Sequence, residues 1–343
     1  MRGVIMFSTH FMSAVWFGIL AIVLAALPID SAMGQADDAP AASGENSVVP
    51  LADDPNVVHK TLGGMQFWGD ALVFYGWRIQ RHVITGHYRL LDDQDVRRAW
   101  GGFAECHEAL HRVCRDRQLK PVRGNVVVLL HGLARTRGSM DGLGAYLAEH
   151  SKYVPINVGY ASTRAAVDVH ARALMRVLEH LPEADRIDLV AHSLGNIVVR
   201  RYFALAAEEK GGQRTAGRIG RVVMLCPPNH GAFAASQLSA VDFSKHLAGP
   251  AIRQLGVDWK QFRQTLARPS CPFGILAGGL GDDEGYNPLV PGDDDMVISV
   301  ATTRLEGAAD FHVVPAMHTF FMDDPSVRKF VQHFLQHGSF DGN

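Results

Sequence analysis

One stretch constrains the fold of this chain more than any other. From Asn125 to Gly132 the sequence reads NVVVLLHG, five consecutive apolar residues between Asn125 and His131. A strand with one wet face alternates apolar and polar residues. A strand that is apolar at every position is buried on both faces, as inside a parallel sheet covered by helices. The segments that follow keep to that plan. DGLGAYLAEH has helical spacing, YVPINVGY reads as a strand, and TRAAVDVHARALMRVLEHL gathers Val167, Leu174, Val177, Leu178 and Leu181 on one side of a helix. RIDLVA, RVVMLC and PFGILAG read as further strands, and LGNIVVRRYFALAAEE as the helix after the first of them. Strands alternating with helices predict an α/β domain over residues 123–340, a mostly parallel central sheet with helices on both faces.

The chain before this domain has a different texture. Phe11 to Leu27 is seventeen residues without a charge, preceded by Arg2 and followed by small residues around Ala32 to Ala36. This pattern predicts a signal peptide within residues 1–34 and an exported protein, periplasmic or secreted. An uncleaved anchor is the alternative, at the short end for a membrane span, and it would hold the protein at a membrane surface. Residues 35–58 are rich in Ala, Pro, Asp and Ser and read as a flexible linker. Residues 59–122 carry apolar and aromatic residues at helical spacing, among them Phe67, Trp68, Phe74, Tyr75, Trp77 and Trp100, and read as a helical N-terminal extension. Between the strands at Val222 and Ile275 the chain is longer than a crossover needs. A helical cap within 232–270 is expected there, over the carboxyl edge of the sheet where open α/β sheets bind ligands; a plain surface excursion is the alternative.

Charge and composition remove several function classes. Lys and Arg number 33 against 35 Asp and Glu, with no basic tract, so no nucleic-acid partner is expected. The 17 histidines are scattered without metal-ligand spacing, and neither a metal nor a cofactor is expected. Cys106, Cys114, Cys226 and Cys271 allow three disulfide connectivities in an oxidising compartment. Cys106 and Cys114 would lie about 12 Å apart along one helix, too far to bridge, so buried free thiols are the other reading.

The chemistry concentrates in DLVAHSLGNIVVR. Ser193 stands where the strand RIDLVA passes into the helix LGNIVV, with Ala191 and Gly195 two residues to either side. Serine is a common helix cap. A sharp turn at that junction would also thrust its hydroxyl out at the carboxyl end of the sheet, next to the free N–H groups and positive end of a helix. In this setting AHSLG resembles the nucleophile elbow of the α/β-hydrolase superfamily, in particular its lipases and esterases, with Ala191 in the place of the first glycine.

Three further segments share the resemblance. VVVLLHGLART resembles the oxyanion loop of lipases, which implies that the backbone N–H groups of Leu133 and Leu194 form the oxyanion hole and leaves His131 a structural role. MLCPPNHGA resembles the turn after the strand that follows the elbow, with His230 structural. The family's chain order of serine, acid and histidine points to PGDDDMVISVATTRLEGAADFHVVPAMHTFFM. His318 follows the apolar FHVVPA and precedes the closing helix, a better place than His312, His333 or His337. Asp295, directly before MVISV, fits the acid best; Asp294 is the alternative and Asp310 a third candidate. Asp282, Asp283 and Glu284 read as a solvated loop, without the spacing of a calcium-binding hand.

The resemblance covers most of residues 123–338. It implies a serine hydrolase that cleaves carboxylic esters, lipid or small and soluble, through an acyl-enzyme on Ser193. The same triad would also serve an acyltransferase or thioesterase, and a hydrolase fold without activity would be a binding protein.

Overall fold

The computed structural model describes residues 61, 65–209, 211–231 and 249–340. The expected leader and linker, residues 1–34 and 35–58, lie outside them. The main sheet is built from β5 (Gly124–Leu130), β6 (Val154–Val158), β7 (Ala184–His192), β8 (Ile219–Leu225), β9 (Phe273–Gly278) and β10 (Asp310–Val314), in the order β10-β9-β8-β7-β5-β6. Every neighbouring pair is parallel.

Both faces are covered, and β5 shows why it had to be apolar throughout. Successive side chains of a strand point to opposite faces. Val126, Val128 and Leu130 pack with Leu174 and Leu178 of the helix Val167–Glu179 and with Ile197 and Val198 of the helix Leu194–Glu208. Val127 and Leu129 pack on the other face with Leu143 and Leu147 of the helix Asp141–Ser151 and with Val331 and Phe334 of the helix Pro325–His337. All five β5 residues are fully buried. At roughly 1.5–3 kcal/mol for each buried aliphatic side chain, β5 contributes strongly to both cores, as β7, β8 and β9 also do.

Residues 59–122 are not a helical extension. Among the described residues they form a four-stranded antiparallel sheet, β1 (Trp68–Phe74), β2 (Trp77–His82), β3 (Tyr88–Leu91) and β4 (Arg97–Gly101), paired in chain order, preceded by a 3-10 turn (Met65–Phe67) and followed by one α-helix, α1 (Phe103–Asp116). The physical reason lies in turns and in burial. Tyr75 and Gly76 both take positive φ, 47° and 83°, which makes a two-residue hairpin of the kind whose twist matches the strands it joins. The sheet is also covered on both sides. Leu72, Ile79 and Leu90 pack under Cys106, Ala109, Leu110 and Val113 of α1, whereas Val73 joins the main core. The opposite face buries polar side chains, Asp70, Gln80 and Arg89, which hydrogen-bond to one another.

Among the described residues the α-helices of the main domain, in chain order, are α2 (Asp141–Ser151), α3 (Val167–Glu179), α4 (Leu194–Glu208), α5 (Gly212–Ala216), α6 (Pro250–Leu255), α7 (Trp259–Phe262), α8 (Val300–Thr303) and α9 (Pro325–His337). Residues 232–248 of the expected cap lie outside the described residues. The rest of it forms α6 and α7, whose Ala251, Leu255 and Phe262 enter the main core. Gln254 Oε1 accepts from the first N–H of α3, Val167, at 2.9 Å. All four cysteines are free thiols, Cys106 and Cys114 both on α1. Among the described residues no helix is long and apolar enough to cross a membrane.

Candidate active site

Ser193 joins β7 to α4 in a conformation that side chains rarely adopt, φ 52° and ψ −120°. A non-glycine residue held at positive φ costs about 1–3 kcal/mol and persists only where its surroundings impose it. Here they do. Ser193 N–H donates to Leu225 O at 2.9 Å, and the Asn196 amide donates to Ser193 O and Leu225 O at 3.1 and 3.0 Å. Gly195 lets the first turn of α4 press on the end of β5, since a Cβ there would fall 2.9 Å from Leu130 O and 3.0 Å from His131 O. The serine hydroxyl caps no N–H of α4. It lies instead 3.0 Å from His318 Nε2.

His318 opens a short 3-10 turn after β10. Its ring bridges two partners, with Nδ1 2.7 Å from Asp295 Oδ2 on the side away from Ser193. A carboxylate oxygen accepts, so Nδ1 carries the proton and Nε2 is left to accept from the hydroxyl. The backbone fixes the same geometry: His318 N–H donates to Asp295 O at 2.9 Å, and His318 O accepts from His192 Nε2 at 3.0 Å.

The three consecutive aspartates are distinguished by what they hold. Asp293 accepts from the N–H groups of Leu280 and Gly281, at 2.7 and 2.9 Å. Asp294 accepts from Met296 N–H at 2.6 Å and Asn287 N–H at 3.1 Å. Asp295 uses Oδ1 for Val297 and Ile298 N–H, at 3.0 and 2.7 Å, and presents Oδ2 to His318. Asp294 is fully buried without touching His318, and burial raises its carboxyl above the ordinary range. Asp310 lies at the start of β10 and accepts from Phe311 and Phe340 N–H. His312 is within β10, and His333 and His337 stack on each other on α9.

On the other side of Ser193, the amide of Leu194 opens α4 and that of Leu133 follows Gly132 in the loop after β5. Neither donates to another described group. His131 orients that loop: its Nε2 accepts from Tyr160 N–H at 3.3 Å, so Nδ1 carries the proton and donates to Gly132 O at 2.8 Å. His230 is exposed, and the buried tether of its segment is Asn229, whose amide donates to Thr303 O at 2.7 Å. His192 and Cys226 stand inside the AHSLG and MLCPPNHGA segments, which gave them no role, and both flank the site. The His192 ring lies 4.8 Å from that of His318. Cys226, at φ 46° after β8, meets Asp295 and His318 in the only grouping among the described residues close enough to share an ion. Burial first, and then Asp295, push its thiol well above the usual range, so it stands there as a neutral S–H.

The site's surroundings make stability depend on pH. Burial keeps His131 neutral down to about 4 and His170, on α3, down to about 3. Burial, and then the neighbouring His318, lower His192 well below the ordinary value. In the unfolded chain each of these rings takes a proton near pH 6.5. Below that pH the unfolded state binds more protons than the fold, so stability is complete above about pH 7 and falls as pH drops, by about 1.4 kcal/mol per pH unit for each histidine. A thermal melting series should therefore be flat from pH 7 to 8 and fall steeply from pH 6 to 4. A melting temperature constant over that acid range would contradict the neutral burial of these rings.

Residues 127–339 match the alpha/beta hydrolase family. No curated protein matches the chain. Similar solved structures include the mature lipase BlEst2 of Bacillus licheniformis, at 15% identity and TM-score 0.47, covering 62% of this chain and 91% of that one. Phospholipase PlaB of Legionella pneumophila is 19% identical with TM-score 0.47, and the match spans 63% of this chain and 59% of the phospholipase. The metagenomic carboxyl esterase MGS0156 is 19% identical with TM-score 0.44, covering 57% and 64%. With its six parallel strands and a family match over more than half of its length, the chain belongs to the alpha/beta hydrolase family.

Proposed function

We propose that this protein is a serine hydrolase of carboxylic esters, with Ser193 as nucleophile, His318 as base and Asp295 as the orienting acid. The observation that carries this reading is the unbroken path from Ser193 Oγ through both ring nitrogens of His318 to Asp295 Oδ2, at 3.0 and 2.7 Å. A hydroxyl attacks a carbonyl carbon only as its proton leaves, and His318 Nε2 is placed to take it. Asp295 stabilises the imidazolium that results. The carbonyl oxygen gains negative charge as the new C–O bond forms, and the Leu133 and Leu194 amides are free to receive it. Collapse expels the alkoxide, which leaves as the alcohol with the proton from His318. Water then gives its proton to the same nitrogen, attacks the acyl-enzyme, and releases the acid with Ser193 restored.

Exposed apolar side chains support an apolar acyl group. Leu280, Leu289, Met296, Met317 and Phe320 are all solvent-exposed on the segments that carry Asp295 and His318. Apolar exposure on these segments fits contact with a lipid ester or a lipid surface better than with a small polar ester. The uncharged stretch from Phe11 to Leu27 supports an exported protein acting on such substrates.

Purified protein is expected to be labelled by a fluorophosphonate probe and to hydrolyse a p-nitrophenyl ester series with kcat/KM rising with acyl length. Absence of labelling, in a preparation where a control serine hydrolase reacts, would overturn the reading. Faster turnover of thioesters, or of esters only when an alcohol acceptor is supplied, would redirect it to a thioesterase or acyltransferase.

A further inference from the structure

Residues 65–101 lie outside the part of the chain that matches the family, yet they reach the oxyanion loop directly through Gln66 at Arg135 and indirectly, through Gly159 and Tyr160, at His131. The loop needs support. Ala134, next to Leu133, has φ 56°, a left-handed conformation unfavourable for a residue with a Cβ. Ala134 N–H donates to Ser162 Oγ at 3.0 Å, and that hydroxyl donates to Gln66 Oε1 at 3.2 Å. Gln66 Nε2 donates back to Arg135 O at 3.2 Å. The ring thus closed is anchored by Thr163, whose N–H and hydroxyl reach Gln66 Oε1 at 2.9 and 2.8 Å. On the other side, Asp70 N–H donates to Gly159 O at 2.8 Å and Asp70 Oδ2 accepts from Gly159 N–H at 2.6 Å. The next residue, Tyr160, donates its N–H to His131 Nε2 and its hydroxyl to His131 O, and His131 donates to Gly132 O.

We infer that Gln66 is a positioning residue for catalysis: the antiparallel unit holds the oxyanion loop in place through it, and the hydrolase domain's reaction depends on that unit. The inference rests on the ester-hydrolase reading above. The side-chain amide is suited to the task because it must accept on one side, from Ser162 and Thr163, and donate on the other, to Arg135 O. A carboxylate of the same size keeps the first set and cannot make the second.

Loss of an oxyanion donor outright lowers kcat by about 10²–10³. A loop that is loosened and not removed should cost less, on the order of 10- to 100-fold. The test uses the full chain with Gln66→Glu and Gln66→Met, the second to remove both hydrogen-bonding functions without adding charge. Expected are a fall in kcat of that size with KM changed by less than about 3-fold, and a parallel loss of affinity for an alkylboronic acid, which binds as a tetrahedral adduct. Melting temperatures and circular dichroism identify which variants are folded. Trp100→Ala, exposed on β4, should keep wild-type kcat and control for general effects of altering the unit. A folded Gln66 variant with wild-type kcat and boronate affinity overturns the inference. So does a rise in KM alone. Wild-type protein that is neither labelled by fluorophosphonate nor active sinks the hydrolase reading and this inference with it, whereas labelled wild type with unaffected variants sinks the inference alone.

Discussion

Ser193→Ala is expected to abolish fluorophosphonate labelling and to lower kcat on a p-nitrophenyl ester by about 10⁴- to 10⁶-fold, with the fold intact. That factor corresponds to about 5–8 kcal/mol of transition-state stabilisation, and it rests on one covalent bond that alanine cannot form. The fold should survive because the hydroxyl does no structural work. It caps no helix N–H, and its one recorded partner is His318 Nε2. Alanine also inherits the same unfavourable backbone, φ 52°. Ser193→Gly should therefore be the more stable of the two inactive variants, by about 1 kcal/mol, because glycine adopts positive φ freely. Both are read by intact-mass labelling, steady-state kinetics and thermal melting. Labelling that persists in Ser193→Ala would reject Ser193 as the nucleophile.

The parts of this fold and site that were legible in the sequence are those specified by neighbours along the chain. The five apolar residues of β5 announce a strand buried on both faces. Ser193 stands between a strand and a helix, and His318 between a strand and a turn, so local pattern places each at the carboxyl edge of the sheet. The antiparallel unit was not legible for a physical reason. Its strands bury apolar residues under α1 on one side and a hydrogen-bonded polar set, Asp70, Gln80 and Arg89, on the other, and with so many aromatics this short alternation reads equally well at helical spacing. The Tyr75-Gly76 hairpin turn was the local signal that could have revealed them. Gln66 and Asp70 carry no local signal at all. Their partners, Arg135 and Gly159, are 69 and 89 residues away, and only the folded chain brings them together. His192 is intermediate: it sits inside the elbow motif, but its bond to His318 O spans 126 residues.

Asp295→Asn is expected to lower kcat by about 10⁴-fold, while Asp293→Asn and Asp294→Asn stay within a few-fold of wild type. The three residues are adjacent, so sequence pattern could rank them only by the residues that follow. What separates them is the loop backbone, where Met296 at φ 86° helps turn Asp295 toward His318 and leaves Asp294 facing Asn287. The asparagine substitution reads this directly. The N–H groups of Val297 and Ile298, which now donate to Asp295 Oδ1, would hold the new amide's oxygen in that place. Its NH₂ group would then face His318 Nδ1, where Asp295 Oδ2 now lies. Two donors cannot share that space, so the ring is driven to the tautomer with its proton on Nε2, where it can no longer take one from Ser193. In the other two variants an NH₂ replaces an oxygen that accepts a backbone N–H. Each loses one such bond, a cost of about 1–3 kcal/mol in stability, and leaves the imidazole untouched. Kinetics and melting should thus separate in opposite directions: Asp295→Asn inactive, Asp294→Asn active and less stable. If Asp294→Asn lost more activity than Asp295→Asn, the acid would have been misassigned.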